Sequence, residues 1–308
     1  MQKVLVTGAS GLLGINLVLQ AANQYEVTGV VYSQQLKGIP FQVISADLTD
    51  EMELKSVIEQ VKPELIINCA ALANVDACEK NPVLAEDLNV TLPLRLAGIC
   101  TSRAIQLVHI STDAVFDGIS GNYRETDQPN PINVYARTKL AGEVAVHETN
   151  SQALIARVNF YGYSLSRNRS LAEFFLYNLA AGLTINGFTD VFFCPLLVQD
   201  LIDVLFQMSK KKLSGIYHVV SPEKISKYEF GVKIAKAFDL NDSLIIPTSV
   251  KKGGLTAKRS PNLTLKIDKL LHDLGAAIPG QDQGINRFLN LYQKEYPEEL
   301  RSYSNDTD

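Results

Sequence analysis

The sequence predicts an α/β fold with a doubly wound parallel sheet. Three observations carry this. Short apolar, β-branched runs recur through the first 160 residues, stretches with helical spacing lie between them, and a glycine-rich turn joins the first run to the first helical stretch. Strands alternating with helices form βαβ units, and right-handed crossovers cover both faces of the resulting sheet.

Taken in order, KVLVTG is apolar and ends in glycine, as suits a buried strand. GLLGINLVLQAANQ carries helical spacing. EVTGVVYS, FQVISAD, ELIINCAA and IQLVHIST supply further strands with room for helices between them, and ALIARVNFYG adds another. Past residue 160 the pattern loosens. SLAEFFLYNLAAGLT reads as a helix, VFFCPLLVQDLIDVLFQM as a strand or turn entering a helix, and GIYHVVS as a short strand. SKYEFGVKIAKAF is a helix with Ser226 as its N-cap. Residues 241–265 are rich in Ser, Thr, Lys, Gly and Pro and are expected to be loop with short strands. The polar tail from Tyr292 onward is expected to fray.

Composition narrows the function classes. Apolar residues make up 46% and charged residues 20% of 308, which suits a globular chain with a full core. Net charge is −4 and the basic residues are scattered, so no nucleic-acid footprint is expected. The run Lys210-Lys211-Lys212 follows an apolar helical stretch and reads as a helix C-terminus, where cations are favoured. No uninterrupted apolar stretch reaches the length of a membrane span, and the start MQKVLVTG has no long apolar signal segment, so a cytoplasmic location is expected. Cys69, Cys78, Cys100 and Cys194 lack metal-ligand spacing and read as small hydrophobes in a reducing compartment. His109, His147, His218 and His272 are dispersed, so no metal site is expected.

VTGASGLLG places Gly8, Gly11 and Gly14 between the first strand and the first helix, with Ser10, Leu12 and Leu13 among them. Glycine permits the tight turn and lets backbone N–H groups approach a pyrophosphate, while the helix N-terminus adds partial positive charge. A nicotinamide dinucleotide is therefore the expected cofactor. An acid that would hold a ribose 2′-hydroxyl is missing after the second strand, where the chain reads Tyr32-Ser33-Gln34-Gln35-Leu36-Lys37. NADP(H) is thus preferred over NAD(H), with Ser33 and Lys37 near the 2′-phosphate. Asp47, followed by Leu48, ends the third strand, where it can accept from the adenine amino group. Cys69, Ala70 and Ala71 follow the fourth strand, and small side chains there leave space for a flat ligand. These features make residues 1–160 a Rossmann-type NAD(P)-binding domain, completed by returning segments within 190–220. Residues 161–308 are mainly a substrate-binding region.

Tyr135 precedes Lys139 by four residues in VYARTKLAGE, so on a helix both face the same side. A lysine ammonium near the phenol would stabilise tyrosinate and move its pKa from about 10 toward the working pH. Chance alone supplies about 0.7 such pairs in a chain of this composition, so the surroundings must decide.

Those surroundings are TGASGLLG, ADL, NCAA, ISTDAVFDG and YARTK, in that order. Together they resemble the extended short-chain dehydrogenase/reductases. STDAVFDG, the stretch from YRETD to VYARTKLAGE, and the later RSPN are similar to the dTDP-4-dehydrorhamnose reductase family. The resemblance implies a catalytic triad of Thr112, Tyr135 and Lys139, with Tyr135 as proton donor, Lys139 also on the nicotinamide ribose, and Thr112 on the substrate carbonyl. It places Asp113 near the substrate, and matches Arg259 to an arginine that faces it. A nucleotide-sugar substrate follows, and homodimerisation is a family expectation.

The chain also departs from that pattern. Ala114 stands where dehydratases of the superfamily carry glutamate and these reductases carry tyrosine, which argues against dehydration. Ala73 replaces a threonine, and Asn159-Phe160 replace a serine and tryptophan, so Asn159 is placed in an altered sugar pocket. The leading expectation is an NAD(P)H-dependent reductase of a nucleotide-linked 4-keto-6-deoxysugar. A sugar-nucleotide epimerase is an alternative. VDACEKNP, FDG and KYEFGVKIAKAF also resemble the regulatory β subunit of methionine adenosyltransferase, which implies an NADP-binding module without turnover.

Overall fold

The computed structural model describes residues 1–252 and 260–304. Each predicted strand of the first half forms: β1 (Lys3–Thr7), β2 (Glu26–Val31), β3 (Gln42–Ser45), β4 (Leu65–Asn68), β5 (Gln106–Thr112) and β6 (Leu154–Val158). The Gly215–Val219 strand adds to the β6 edge, giving a seven-stranded sheet in the order Gly215–Val219, β6, β5, β4, β1, β2, β3. All of its pairings are parallel. The chain winds outward from β1 through β2 and β3, then returns to place β4 on the other side of β1. That reversal opens a crevice at the carboxyl ends of β1 and β4.

Alternation along each strand splits the core in two. Val4 and Val6 face one cluster, with Leu13, Ile15 and Leu17 of the Leu12–Ala21 helix and Leu201 and Leu205 of the Val198–Lys210 helix. Leu5 faces the other, with Leu54 and Ile58 of the Glu51–Val61 helix and Leu96 of the Leu92–Arg103 helix. Both faces are covered, as a wholly parallel sheet requires.

The second half also forms short two-stranded pairings outside the main sheet. Strand Ile185–Phe188 pairs in parallel with Ile245–Thr248. Ser226 caps the Lys227–Ala237 helix in a reciprocal box with Glu229, as the sequence predicts. Ser170 and Glu173 form the same box at the start of the Leu171–Ala180 helix. The Val198–Lys210 helix ends within the lysine run. Cys78, Cys100 and Cys194 are buried free thiols, and Cys69 is partly exposed.

The expectation for the C-terminal tail fails. Up to residue 304 the tail is ordered into the fold rather than frayed: Tyr296–Ser302 is a helix, with Pro297 and Leu300 buried. A few apolar side chains in a polar stretch suffice when each finds a place in the core. Among the described residues no helix is long and apolar enough to cross a membrane.

Candidate active site

The glycine turn is shaped by close backbone approach. Gly8 has φ +65°, and a Cβ there would lie 2.9 Å from the Ala70 backbone. A Cβ on Gly14 would lie 2.2 Å from the Gly8 carbonyl oxygen. The turn can therefore fold tightly under the start of the Leu12–Ala21 helix. Gly11 caps that helix without a side-chain hydrogen bond, and its first turn contains no acid. The opening N–H groups thus lack the side-chain acceptor or nearby carboxylate that helix starts commonly carry, which fits a pyrophosphate. Thr7 Oγ1 donates to Asn68 Oδ1 at 2.6 Å and accepts from Ala70 N at 3.1 Å, fixing the Cys69-Ala70-Ala71 exit beside the turn.

Tyr135 and Lys139 lie on the Val134–Thr149 helix. Asn133 caps it by accepting from Ala136 N at 2.9 Å, while Glu79 Oε1 accepts from Val134 N at 2.8 Å. Thr112 ends β5 and lines the same cleft as Tyr135. Its Oγ1 donates to Asp113 Oδ1 at 3.1 Å, and Asn159 Nδ2 donates to Asp113 Oδ2 at 2.5 Å. Lys139 is 3% exposed, and its Nζ donates to the Ile110 carbonyl at 2.6 Å.

The electrostatics differ from the expectation that Lys139 draws the phenol toward neutrality. Burial pushes Tyr135 up to about 12; the Thr112 hydrogen bond pulls it back, and the Asp113 carboxylate opposes ionisation further. Burial also lowers Lys139 from 10.5 to about 8, partly offset by Glu143. The ammonium is engaged by the Ile110 carbonyl, and desolvation dominates both groups. Asp113 rises to about 6 because it is buried, against the pull of the Asn159 and Thr112 hydrogen bonds.

A buried ion pair braces the helix from below. Arg157 of β6 donates from Nη2 to Glu143 Oε2 at 2.7 Å and from Nε to both carboxylate oxygens. Ser111 Oγ donates to Glu143 Oε1 at 2.5 Å, and the guanidinium lies 5.1 Å from the Phe116 ring centroid. The helix is thereby tied to β5 and β6 one turn beyond Lys139. Asn68 Nδ2 lies 3.1 Å from His109 Nδ1, and burial, then Lys139, holds that imidazole neutral.

The structure gathers most of the sequence-predicted residues in one cleft of about 360 Å³. Thr112, Tyr135, Lys139, Asp113 and Asn159 line it together with Gly11, Leu12, Leu13, Gly14, Cys69 and Ala71. Gly8, Ser10 and Ala70 form the turn and strand exit behind that wall. Ser33 is exposed after β2, whereas Asp47 and Leu48 follow β3 with Leu48 buried. Asp47 Oδ1 accepts from Thr49 N and Oγ1 at 2.9 and 2.7 Å, and Asp50 supplies the neighbouring helix cap. Arg259 lies outside the described residues. The sequence reading missed Arg169, which is exposed at the cleft, and Glu143. For Arg169 the only local signal is its place just before the Ser170 capping box.

A glycine turn at the sheet's switch point, with tyrosine and lysine on one helix face opposite a strand-ending threonine, is the arrangement of the extended short-chain dehydrogenase/reductases. Within them, the model described as RmlD substrate binding domain matches residues 1–294, and the chain belongs to that family. It is 34% identical to a probable low-salt glycan biosynthesis reductase of Haloferax volcanii, over 89% of this chain and 93% of that protein. It is 33% identical to methionine adenosyltransferase 2 subunit beta of Xenopus laevis, over 87% of this chain and 82% of that one. The dTDP-4-dehydrorhamnose reductase of Bacillus anthracis, solved in complex with NADP, superimposes with a TM-score of 0.83 at 27% identity, covering 94% of this chain and 99% of that one.

Proposed function

We propose that the protein is an NAD(P)H-dependent reductase of a nucleotide-linked 4-keto-6-deoxysugar. The observation that carries this is the single cleft lined by Thr112, Tyr135 and Lys139 beside the uncapped helix start behind Gly11. A nicotinamide held in this cleft would supply the hydride that the sugar carbonyl carbon needs. Tyr135 gives its phenolic proton to the carbonyl oxygen, and Thr112, turning its hydroxyl from Asp113 Oδ1, holds that oxygen by donating a hydrogen bond. Lys139 holds the nicotinamide ribose and offsets charge as Tyr135 loses its proton. Asp113 and Asn159 face the sugar, and Arg169 stands at the rim to meet the substrate diphosphate.

NADP(H) is the preferred cofactor. No acid occupies residues 32–37, and Ser33 and Lys37 are exposed there. Competing dissociation constants for NADPH and NADH test the preference, and tighter NADH binding would reverse it.

The deciding experiment follows NADPH oxidation with a panel of nucleotide 4-keto-6-deoxysugars, beside a Tyr135→Phe control. Oxidation that the control loses by about 10²–10⁴-fold supports the reductase.

The 33% identity to methionine adenosyltransferase 2 subunit beta favours a second reading, a non-catalytic NADP-binding regulatory subunit. NADPH binding without turnover on any panel member, with co-purification of a synthetase, would favour that reading instead.

A further inference from the structure

Residues 296–304, in the segment expected to fray, contact both the loop after β2 and the Leu12–Ala21 helix. Lys37 N donates to the Tyr303 carbonyl at 3.0 Å, and Leu36 forms an antiparallel bridge with Ser304. The loop so held follows β2 and carries Ser33 and Lys37. A dinucleotide fold reads the ribose 2′ position at that strand exit. The same segment also reaches the glycine-turn helix. Tyr296 Oη donates to Asn16 Oδ1 at 2.8 Å, and Asn16 Nδ2 donates onward to the Leu12 carbonyl at 2.7 Å. Leu12 lines the cleft, yet no residue of the segment does.

The segment is anchored independently of those contacts. Leu300 is fully buried, and Arg167 Nη2 lies 2.6 Å from Glu298 Oε1. The loop, in contrast, is formed of bends over residues 32–34, and Gly38 has φ +62° with open space around it. A fixed anchor therefore meets a loop with little regular structure of its own.

We propose that residues 296–304 are a positioning element for the adenosine end of the cofactor. They set where Ser33 and Lys37 stand, and so set the affinity for a 2′-phosphate. The inference rests on the reading of the cleft as an NAD(P) site.

A chain ending at Ser302 removes residues 303–308 while keeping Leu300, and a chain ending at Ser304 is its control, so that the difference between the two reads Tyr303 and Ser304 alone. Two fragments probe the two halves of the site: 2′,5′-ADP for the adenosine end and nicotinamide mononucleotide for the other. Loss of a backbone hydrogen bond and its bridge should weaken 2′,5′-ADP by about fivefold or more and leave the mononucleotide unchanged. Equal loss of both fragments, or of neither, overturns the proposal. Hydrogen exchange on the full chain decides it if the shortened chain does not fold. Saturating 2′,5′-ADP should slow exchange at the Lys37 amide and across 296–304, and an unaffected tail overturns the proposal. If the full chain binds neither NADPH nor 2′,5′-ADP, the cofactor reading itself falls, which is a separate result from a shortened chain that binds as the full one does.

Discussion

Asn159 donates to Asp113 at 2.5 Å, yet the carboxyl is buried deeply enough to rise from an ordinary 3.8 to about 6. The folded protein then holds a proton that the unfolded chain has already released between those values. Stability must fall as pH rises through that window and level off above it. A shift of roughly two units corresponds to about 3 kcal/mol at most. Thermal melts between about pH 4 and pH 6 should show the wild type losing more Tm than Asp113→Asn. Parallel profiles would remove Asp113 as the source.

If the protein is the proposed reductase, Lys139 should give the pH profile of turnover its alkaline side. Its ammonium is lowered to about 8 by burial, whereas Tyr135 at about 12 keeps its proton throughout. The rate of reduction should therefore decline as pH rises through about 8, because the lysine loses its charge there. Lys139→Arg retains a cation that does not titrate in this range. That variant should be slower but lose the decline near pH 8. A limb at the same pH in both proteins would assign the ionisation elsewhere.

Glu143 and Arg157 are 1% and 2% exposed, and breaking one side strands a buried charge. Glu143→Gln should cost about 3–5 kcal/mol, read from denaturant unfolding. Pairing it with Arg157→Met removes the stranded guanidinium and should restore part of that loss. A double variant no more stable than Glu143→Gln would show that packing, not charge, sets the cost.

The same pair marks the boundary of what could be read from sequence. The strands of the first half were legible because β-branched apolar runs ended by small residues have few other readings, and the Ser226 cap because its box is local. The spacing of Tyr135 and Lys139 placed them on one helix face, and the family resemblance added Thr112, which the fold brings to the same cleft at the end of a strand. Glu143 and Arg157 sit on a helix and a strand, and nothing in the intervening residues announces that they meet. The phenol of Tyr135 was misjudged for a related reason. Distance to a lysine can be guessed along a helix, but desolvation is supplied by the packed whole. The tail was misjudged because Pro297 and Leu300 are too few to form a pattern, though each is buried.

Glycine substitutions separate the cofactor turn from the rest of the scaffold. A Cβ on Gly14 meets the Gly8 carbonyl oxygen at 2.2 Å and Ala9 Cα at 2.8 Å, and neither backbone atom can yield without opening the turn. Gly98, inside the Leu92–Arg103 helix, has only Thr149 Cγ2 at 3.9 Å, an ordinary contact. Gly98→Ala should therefore stabilise by about 0.5–1 kcal/mol, since alanine loses less backbone entropy in a helix. Gly14→Ala should cost about 1–3 kcal/mol from overpacking. It should also weaken NADPH binding well beyond what the lower stability explains, because the turn must move away from the helix start. Melting curves and NADPH titrations of the two variants, run at a temperature where both stay folded, check this. Equal NADPH affinity in the two would show that the turn tolerates the displacement and that the phosphates do not lie against it.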